Sequence, residues 1–587
     1  MGKYSGFIRY FFVFCIIALF FTSLAVLADE KQPGTAGLSR EEALRLGERI
    51  YREGILPSGK PVEAVVKGDI TVEGSMFSCQ SCHLRAGLGS FEGGIYSPPT
   101  NGAYLFKPFQ AYSSSNYKNT PFAPHQVIEY NQSLYQKPPN RPIYTDASLA
   151  EVLRYGDDPA GRILNDVMPR YQLEDREMKL LITYLKSLSS DFSPGVSDTT
   201  IRFATIITED VSPEEQNAML VPMEYFFRSK NQTNFYNPRS GIRSTAFRSR
   251  QMAEVTLTSL GVAIRNLSLS RWVLKGTPET WRSQLQEYYR REPVFALLGG
   301  ITNGEWQPVH KFCEENQIPC LFPITEFPVI SRTDWYTLYL SKGYYQEGEG
   351  AARFLNDKAE LMEKPIVQIV RDSREGRALA RGFQETWRDF GQKVPVTVIL
   401  KEGEALTAEF LQQALAREKP AAIILWDGPE SLKAVEMLAA WKNRPPMVLV
   451  SSSLLGKGML SMNEQVRDFT YMTYPYGMSQ LPGEQISPTM GIKKFNTEAN
   501  TMATIRISQK TYGLTVVLDM AIERMKGNFY RDNFLDVIDC LMDLDVPLYE
   551  RLSFGPGQRY ASKGCYIVQL SKEGKPDLIK KSNWVVH

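Results

Sequence analysis

The 587 residues carry 67 Lys and Arg against 65 Asp and Glu, a formal net charge of +2. With no basic run, this balance argues against nucleic acid as a partner, and the length is too great for one core, so two or three domains are expected. A hydrophobic content of 43% fits a globular protein, and beyond Leu27 no apolar run is long enough to cross a bilayer. At the start, Lys3 and Arg9 precede an almost wholly apolar run from Tyr10 to Leu27, and Val26-Leu27-Ala28 offers small residues for cleavage before Asp29. Residues 1–28 are therefore expected to be a signal peptide. Left uncut, the same run is just long enough to anchor the chain in a membrane. Either way the rest of the chain is expected outside the cytoplasm, periplasmic or exported.

A short polar tail leads to Ser39-Arg-Glu-Glu42, a capping box in which Ser39 and Glu42 can serve each other's backbone N–H groups. The helix it opens runs through Leu44, Leu46, Ile50 and Tyr51. Next comes Cys79-Gln80-Ser81-Cys82-His83. Two thiols two residues apart can join the two vinyl groups of one haem, with the following histidine reaching the iron, so the spacing reads as covalent attachment of a single haem c. Half of a zinc site is the competing reading, but no second Cys-x-x-Cys or histidine pair completes four ligands. A thioredoxin-like pair would leave His83 without a part. Residues 87–144, rich in Gly, Pro and Tyr, are expected to be loop around the haem. Helical patterns return at 146–155 and 174–188, with Asn165-Asp-Val-Met168-Pro169 before the last. A methionine thioether suits ferrous iron, and the proline after it fixes an extended path that can hold the sulphur on a loop. His125 is the alternative iron ligand.

In the order helix, Cys-x-x-Cys-His, loop, Met-Pro, helix, residues 38–190 resemble the class I cytochrome c family. Gly47-Glu-Arg-Ile-Tyr51 resembles that family's contact on the first helix, and Leu181-Ile-Thr-Tyr184 its partner on the last. The resemblance implies an all-α domain with His83 and Met168 as axial ligands of the haem iron, Cys79 and Cys82 as the thioether residues, and the carbonyl of Pro98 or Pro99 on the other nitrogen of His83. The His-to-Met separation is longer than in small cytochromes. Residues 189–199 read as a linker.

From there the pattern alternates. Apolar, β-rich runs at 201–208, 294–300, 319–324, 365–370, 394–400, 421–426 and 446–450 are separated by amphipathic stretches such as 377–390 and 432–441. This implies parallel sheets covered on both faces, enough for two α/β lobes. Residues 550–570, with the turn Gly555-Pro-Gly557, are expected to close the fold as a hairpin. Of seven cysteines, Cys313, Cys320, Cys540 and Cys565 remain after the signal and the haem. In an oxidising compartment they suggest two disulfides, Cys313–Cys320 and Cys540–Cys565 joining neighbours in sequence; buried free thiols are the alternative.

Val294-Phe-Ala-Leu-Leu-Gly-Gly300, Ile318-Pro-Cys-Leu-Phe-Pro-Ile-Thr325, Gln346-Glu-Gly-Glu-Gly-Ala-Ala352 and Arg371-Asp-Ser-Arg-Glu-Gly376 together make residues 200–570 resemble the type I periplasmic binding proteins, of the leucine-binding and amide-receptor kind. The resemblance implies a ligand held between two lobes at the carboxyl ends of strands, with Thr302, Trp306, Thr325, Tyr345, Glu375, Trp426 and Tyr474 as cleft candidates. Amino-acid-binding relatives place an acidic residue where this chain has Tyr344-Tyr345, which points to an uncharged or aromatic organic solute. The expected architecture is thus an all-α cytochrome domain followed by a two-lobed α/β domain. The expected function is a mono-haem electron carrier whose second domain recognises a small organic solute or a redox partner protein. The alternative is a periplasmic solute-binding protein for ABC-type transport or sensing, its haem a redox gauge. No catalytic motif is evident beyond the haem, so an electron carrier is favoured over an enzyme.

Overall fold

The computed structural model describes residues 35–107, 141–234, 265–302, 304–331, 333–358, 364–415, 419–442, 444–478 and 501–586. The expected signal peptide and His125 lie outside them. The chain divides into two compact units, Met1–Asp191 and Phe192–His587.

The first unit opens with helix α1 (Arg40–Glu53), where the Ser39 hydroxyl accepts from the Glu42 amide at 3.2 Å and Gly54 ends the helix in the left-handed region. An antiparallel hairpin, β1 (Glu63–Val66) and β2 (Ile70–Glu73), leads to the single-turn helix α2 (Cys79–His83). A second hairpin pairs β3 (Ser90–Glu92) with β4 (Ile95–Ser97), and helix α3 (Gly102–Leu105) follows. Helix α4 (Asp146–Tyr155) starts at a capping box between Thr145 and Ser148. Strand β5 (Arg170–Gln172) then adds to β1, and helix α5 (Asp175–Ser187) closes the unit. Its core is helical, built from Leu46, Ile50 and Tyr51 of α1, Leu149 and Val152 of α4, and Leu181 and Leu185 of α5. The unit is not all-α, however. β1 pairs with β2 on one side and β5 on the other, giving the three-stranded sheet β2-β1-β5. Helices α1 and α5 cross closely because Gly47 has no side chain: a Cβ there would lie 2.3 Å from the Leu180 carbonyl oxygen and 2.7 Å from Tyr184 Cβ.

The second unit begins inside the expected linker. Phe192 packs on the rings of Phe529 and Tyr530, and Val196 bridges to Ile201, so only residues 189–191 stay with the first unit. Strand β6 (Thr200–Thr208) is buried over most of its length, as a central parallel strand must be. It is followed by α6 (Pro213–Asn234), β7 (Asn266–Leu274), α7 (Pro278–Arg291), β8 (Ala296–Leu298), α8 (Gln307–Glu315), β9 (Cys320–Leu321) and β10 (Thr337–Leu338). These five strands make a parallel sheet in the order β10-β9-β8-β6-β7.

The second lobe repeats the plan. It runs through α9 (Tyr344–Asn356), β11 (Ile366–Arg371), α10 (Arg374–Asp389), β12 (Val396–Leu400), α11 (Ala408–Leu415), β13 (Ala422–Trp426), α12 (Leu432–Leu438), β14 (Val448–Ser451) and β15 (Thr470–Tyr474). The strand order β12-β11-β13-β14-β15 is parallel throughout, so each lobe begins with its first strand between its second and third. The chain continues through α13 (Met502–Met525), which packs on α6, and α14 (Arg531–Asp539). Strand β16 (Leu544–Val546) then pairs with β17 (Tyr549–Leu552), whereas β18 (Gly564–Leu570) joins β15 antiparallel and carries β19 (Leu578–Lys580) and β20 (Val585–Val586). The hairpin expected over 550–570 is therefore not formed. Gly555-Pro-Gly557 does turn the chain, but the strands on its two sides enter different sheets, and the fold runs past residue 570 to the last strand.

Candidate functional site

In the first unit, His83 is 7% exposed and its Nδ1 lies 2.7 Å from the Pro98 carbonyl oxygen, a bond that makes Nδ1 the protonated nitrogen and leaves Nε2 free to bind a metal. Burial pushes the imidazole below its usual pKa, against the pull of that bond, and keeps it neutral. The site is braced from two directions. Tyr51 donates to the Leu84 carbonyl at 2.8 Å, and Tyr171 to the Phe77 carbonyl at 2.7 Å. On the other side, Arg170 ties the Met168 loop by donating to the carbonyls of Met168 and Leu164, both at 2.7 Å.

Cys79, Cys82, His83 and Met168 together line one mainly apolar cavity of about 380 Å³, walled also by Leu149, Val152, Leu181 and Leu185. Its rim carries Arg162, whose Nε and Nη2 hold Asp158 while Nη1 is buried without a partner. These residues fit a haem: an apolar slot, two thiols and a neutral imidazole from one turn, a thioether on a tied loop, and a buried cationic donor suited to a propionate. Burial raises the Cys79 thiol to about 11 and keeps it protonated.

In the second unit, the carboxyl ends of both sheets converge on a polar cluster that also takes side chains from α13. From the first lobe comes Glu326, which accepts from Lys510 Nζ of α13 at 2.5 Å. From the second come Tyr344, Glu347, Ser451, Ser453, Thr473, Tyr474 and Tyr476. Glu347, 1% exposed, accepts from Ser451 at 2.8 Å and from Thr473 at 2.5 Å. Burial raises it to about 7 even though these hydroxyls favour its charge. The Arg506 guanidinium of α13 lies 4.6 Å over the Tyr476 ring. Burial works against its charge, but Tyr476, Glu326, Glu347 and Tyr474 outweigh that and raise its pKa. At the switch point of the second sheet, Arg371 and Asp427 form a bidentate pair, both contacts at 2.8 Å.

The cluster takes in few of the residues expected from sequence. Tyr474 is in it, and Glu375 is close enough to Tyr344 to raise its pKa further. Thr325 stands beside Glu326, but its hydroxyl accepts from the Phe327 amide at 3.0 Å and shapes that turn. Thr302 donates to the Glu305 carbonyl at 3.2 Å, closing a local turn. Tyr345 points away, donating to Glu385 at 2.6 Å; its neighbour Tyr344 faces the cluster. Trp306 and Trp426 are core residues, 1% and 0% exposed. The Trp306 ring packs on Gly300, whose φ of +104° needs glycine. Sequence reasoning missed Glu326, Glu347, Tyr476, Arg506 and Lys510. The last two stand four residues apart on one face of a largely apolar helix, which is the signal that was available.

Of the four remaining cysteines, Cys313, Cys320 and Cys565 are free thiols. Cys313 and Cys320 are hydrogen-bond neighbours in the first lobe. The Cys540–Cys565 bridge is not formed: Cys540 is exposed at the end of α14, while Cys565 is fully buried with its sulphur turned on Gly350 of α9.

The family model described as periplasmic binding protein matches residues 274–575. The chain belongs to this family. Similar solved structures include the fatty acid ABC transporter substrate-binding protein from Thermomonospora curvata, 16% identical, covering 68% of this chain and 95% of its own at a TM-score of 0.39. The branched chain amino acid ABC transporter from Thermus thermophilus with bound valine is 11% identical, covering 67% and 98% at a TM-score of 0.44. A solute binding protein from R. palustris in complex with benzoate is 12% identical, covering 66% and 98% at 0.40. Valine and benzoate are those proteins' ligands. No curated protein is similar enough to match.

Proposed function

We propose that this protein is an exported solute-binding protein, serving ABC-type transport or sensing, that takes a small organic solute between the lobes of its second unit and carries one covalent haem c as a redox gauge in its first. The observation that carries the reading is the convergence of both sheets' carboxyl ends, with α13, on the cluster around Arg506, in a chain of the periplasmic binding protein family. Open α/β sheets take their ligands at that end, and closure of two lobes about a hinge buries them. Export would be directed by residues 1–28.

The haem would be held through Cys79 and Cys82, with His83 and Met168 on the iron in a class I cytochrome c-like domain. When bound, it supplies one-electron chemistry. His83 is oriented for it by Pro98, Met168 is held by Arg170, and the apolar wall excludes water. That cavity also supports a second reading, an electron carrier that meets redox partner proteins.

The test is expression in a host that matures c-type cytochromes, followed by intact mass, a pyridine haemochrome spectrum and a thermal-shift screen of organic solutes. One haem per chain and at least one stabilising solute are expected. A solute at a hundred times its Kd adds about 2.7 kcal/mol. A haem-bearing chain that no solute stabilises would leave the electron carrier. A chain without haem would end both haem assignments.

A further inference from the structure

Strand β12 stands at the edge of the second-lobe sheet, yet its sequence is that of a strand from the middle of one. The run Val394-Pro-Val-Thr-Val-Ile-Leu400 carries no charge and, apart from Pro395 and Leu400, is β-branched throughout. Val394 is 85% exposed, Ile399 51% and Val396 38%. An open row of N–H and C=O groups invites another strand, so edges are ordinarily blunted by charge. The first-lobe edge strand β7 follows that rule, alternating polar with apolar and carrying Arg271, which is paired with Glu224.

The outward row of β12 is symmetrical about Val398. The Leu400 carbonyl accepts from the Asp372 amide at 2.8 Å. The backbone groups of Val396, Val398 and Leu400 therefore turn inward to β11, and those of Pro395, Thr397, Ile399 and Lys401 turn outward. Both ends of that row are closed. Pro395 has no N–H. The Lys401 N–H donates to Glu404 Oε2 at 3.0 Å, and its carbonyl accepts from Arg371 Nη1 at 2.6 Å. Between these ends the N–H and C=O groups of Thr397 and Ile399 have no partner among the described residues.

An antiparallel copy of the same strand, centred on Val398, answers this pattern at every position. Thr397 would exchange both hydrogen bonds with Ile399 of the copy, and Ile399 with its Thr397. Pro395 would fall opposite Lys401, so that closed positions meet closed positions. Shifting the pairing by two residues sets an open Thr397 or Ile399 against a closed Lys401 or Pro395, and shifting it by one turns the open groups away from each other. The side chains agree, with Val398 meeting Val398 across the axis and Val396 meeting Leu400. The flanks agree too: Lys393 precedes the run, while Lys401, Glu402 and Glu404 end it, so a positive end meets a net negative one. We infer that β12 is a self-recognition edge, through which two copies of the chain pair about a twofold axis at Val398 and join their second-lobe sheets into one. Such an interface is isologous and closes at the dimer. The pairing does not depend on what the cleft binds.

The test is sedimentation velocity on the full chain over rising protein concentration, where a monomer–dimer equilibrium is expected. Thr397→Pro removes an outward N–H from both halves of the pair without touching a bond to β11. Ile399→Lys places at an exposed position the kind of charge that blunts natural edges. Each should weaken dimerisation at least about tenfold. Thermal unfolding followed by tryptophan fluorescence checks that the variants keep the fold, and Ile399→Lys carries the test if Thr397→Pro does not. Register is read by cross-linking, with the exposed Cys540 replaced by serine. Under mild oxidation Val398→Cys should join its own copy, because a non-hydrogen-bonded antiparallel pair brings Cα atoms to about 4.5 Å. Val396→Cys, set opposite Leu400, should not. A chain that stays monomeric at every concentration, a dimer that both folded variants leave unchanged, or a cross-link at 396 in place of 398 overturns the inference.

Discussion

Replacing Glu347 with glutamine should change how the stability of the second unit depends on pH. The carboxyl is 1% exposed, and burial raises its pKa from 4.5 to about 7. In the unfolded chain it ionises near its ordinary value. Between pH 4.5 and 7 the folded protein therefore keeps a proton that the unfolded chain has lost. The stability this group contributes is full below pH 4.5 and is lost as pH rises through 7. The interval between the two values corresponds to about 3 kcal/mol. The glutamine variant cannot ionise, so it should escape that loss. Whatever its amide costs among the three surrounding hydroxyls is the same at every pH and cancels in the comparison. The eight tryptophans, Trp272 to Trp584, all belong to the second unit, so their fluorescence follows its unfolding alone. Urea unfolding of wild type and variant from about pH 4.5 to 8 should show wild type losing about 3 kcal/mol more across that range. Parallel profiles would mean that Glu347 is charged in the folded protein, and the account of its burial would be refuted.

Met168→Ala should abolish the sulphur-to-iron charge-transfer band and lower the haem potential; a band that survives would move the sixth ligand elsewhere, and His125 would be tested next. Under oxidising conditions Cys313 and Cys320, already neighbours, should be joined, adding on the order of 2–3 kcal/mol; peptide mapping that finds both thiols free would dismiss the bridge. Gly47→Ala should force α1 and α5 apart at the Leu180 carbonyl and cost about 1–3 kcal/mol. Faster amide exchange in both helices by mass spectrometry would show it, and unchanged exchange would contradict the close crossing.

What could be read from the sequence was whatever is decided within a few residues. The cap at Ser39 and the buried strands β6, β11, β13 and β14 carry their signals in adjacent side chains, and the structure places them close to where those signals pointed. Strand β7 was missed because an edge strand half-covered by its neighbours alternates polar with apolar, and Asn266-Leu-Ser-Leu-Ser270 reads as loop. The β1–β2 hairpin was missed because its strands are only four residues each. Gly555-Pro-Gly557 announced a turn, but a turn fixes only where the chain reverses; which strands then pair is decided by the sheets already waiting for β17 and β18.

The interlobe cluster was the hardest to see for a related reason. It is drawn from Glu326, the start of α9, the ends of β14 and β15, and α13, segments separated by up to about 180 positions, so no periodicity runs through it. Trp426 ends β13 and Trp306 stands just before α8, positions that are as much core as cleft, and both large rings are held by packing. A charged side chain on a helix face that is otherwise apolar is a sharper sign, because burying it is unfavourable unless something answers the charge. Lys510 is answered by Glu326 within the chain. Arg506, one helical turn earlier on the same face, lies over the Tyr476 ring with Glu326 and Glu347 favouring its charge, so the two cations together mark the face of α13 that is turned to the cluster.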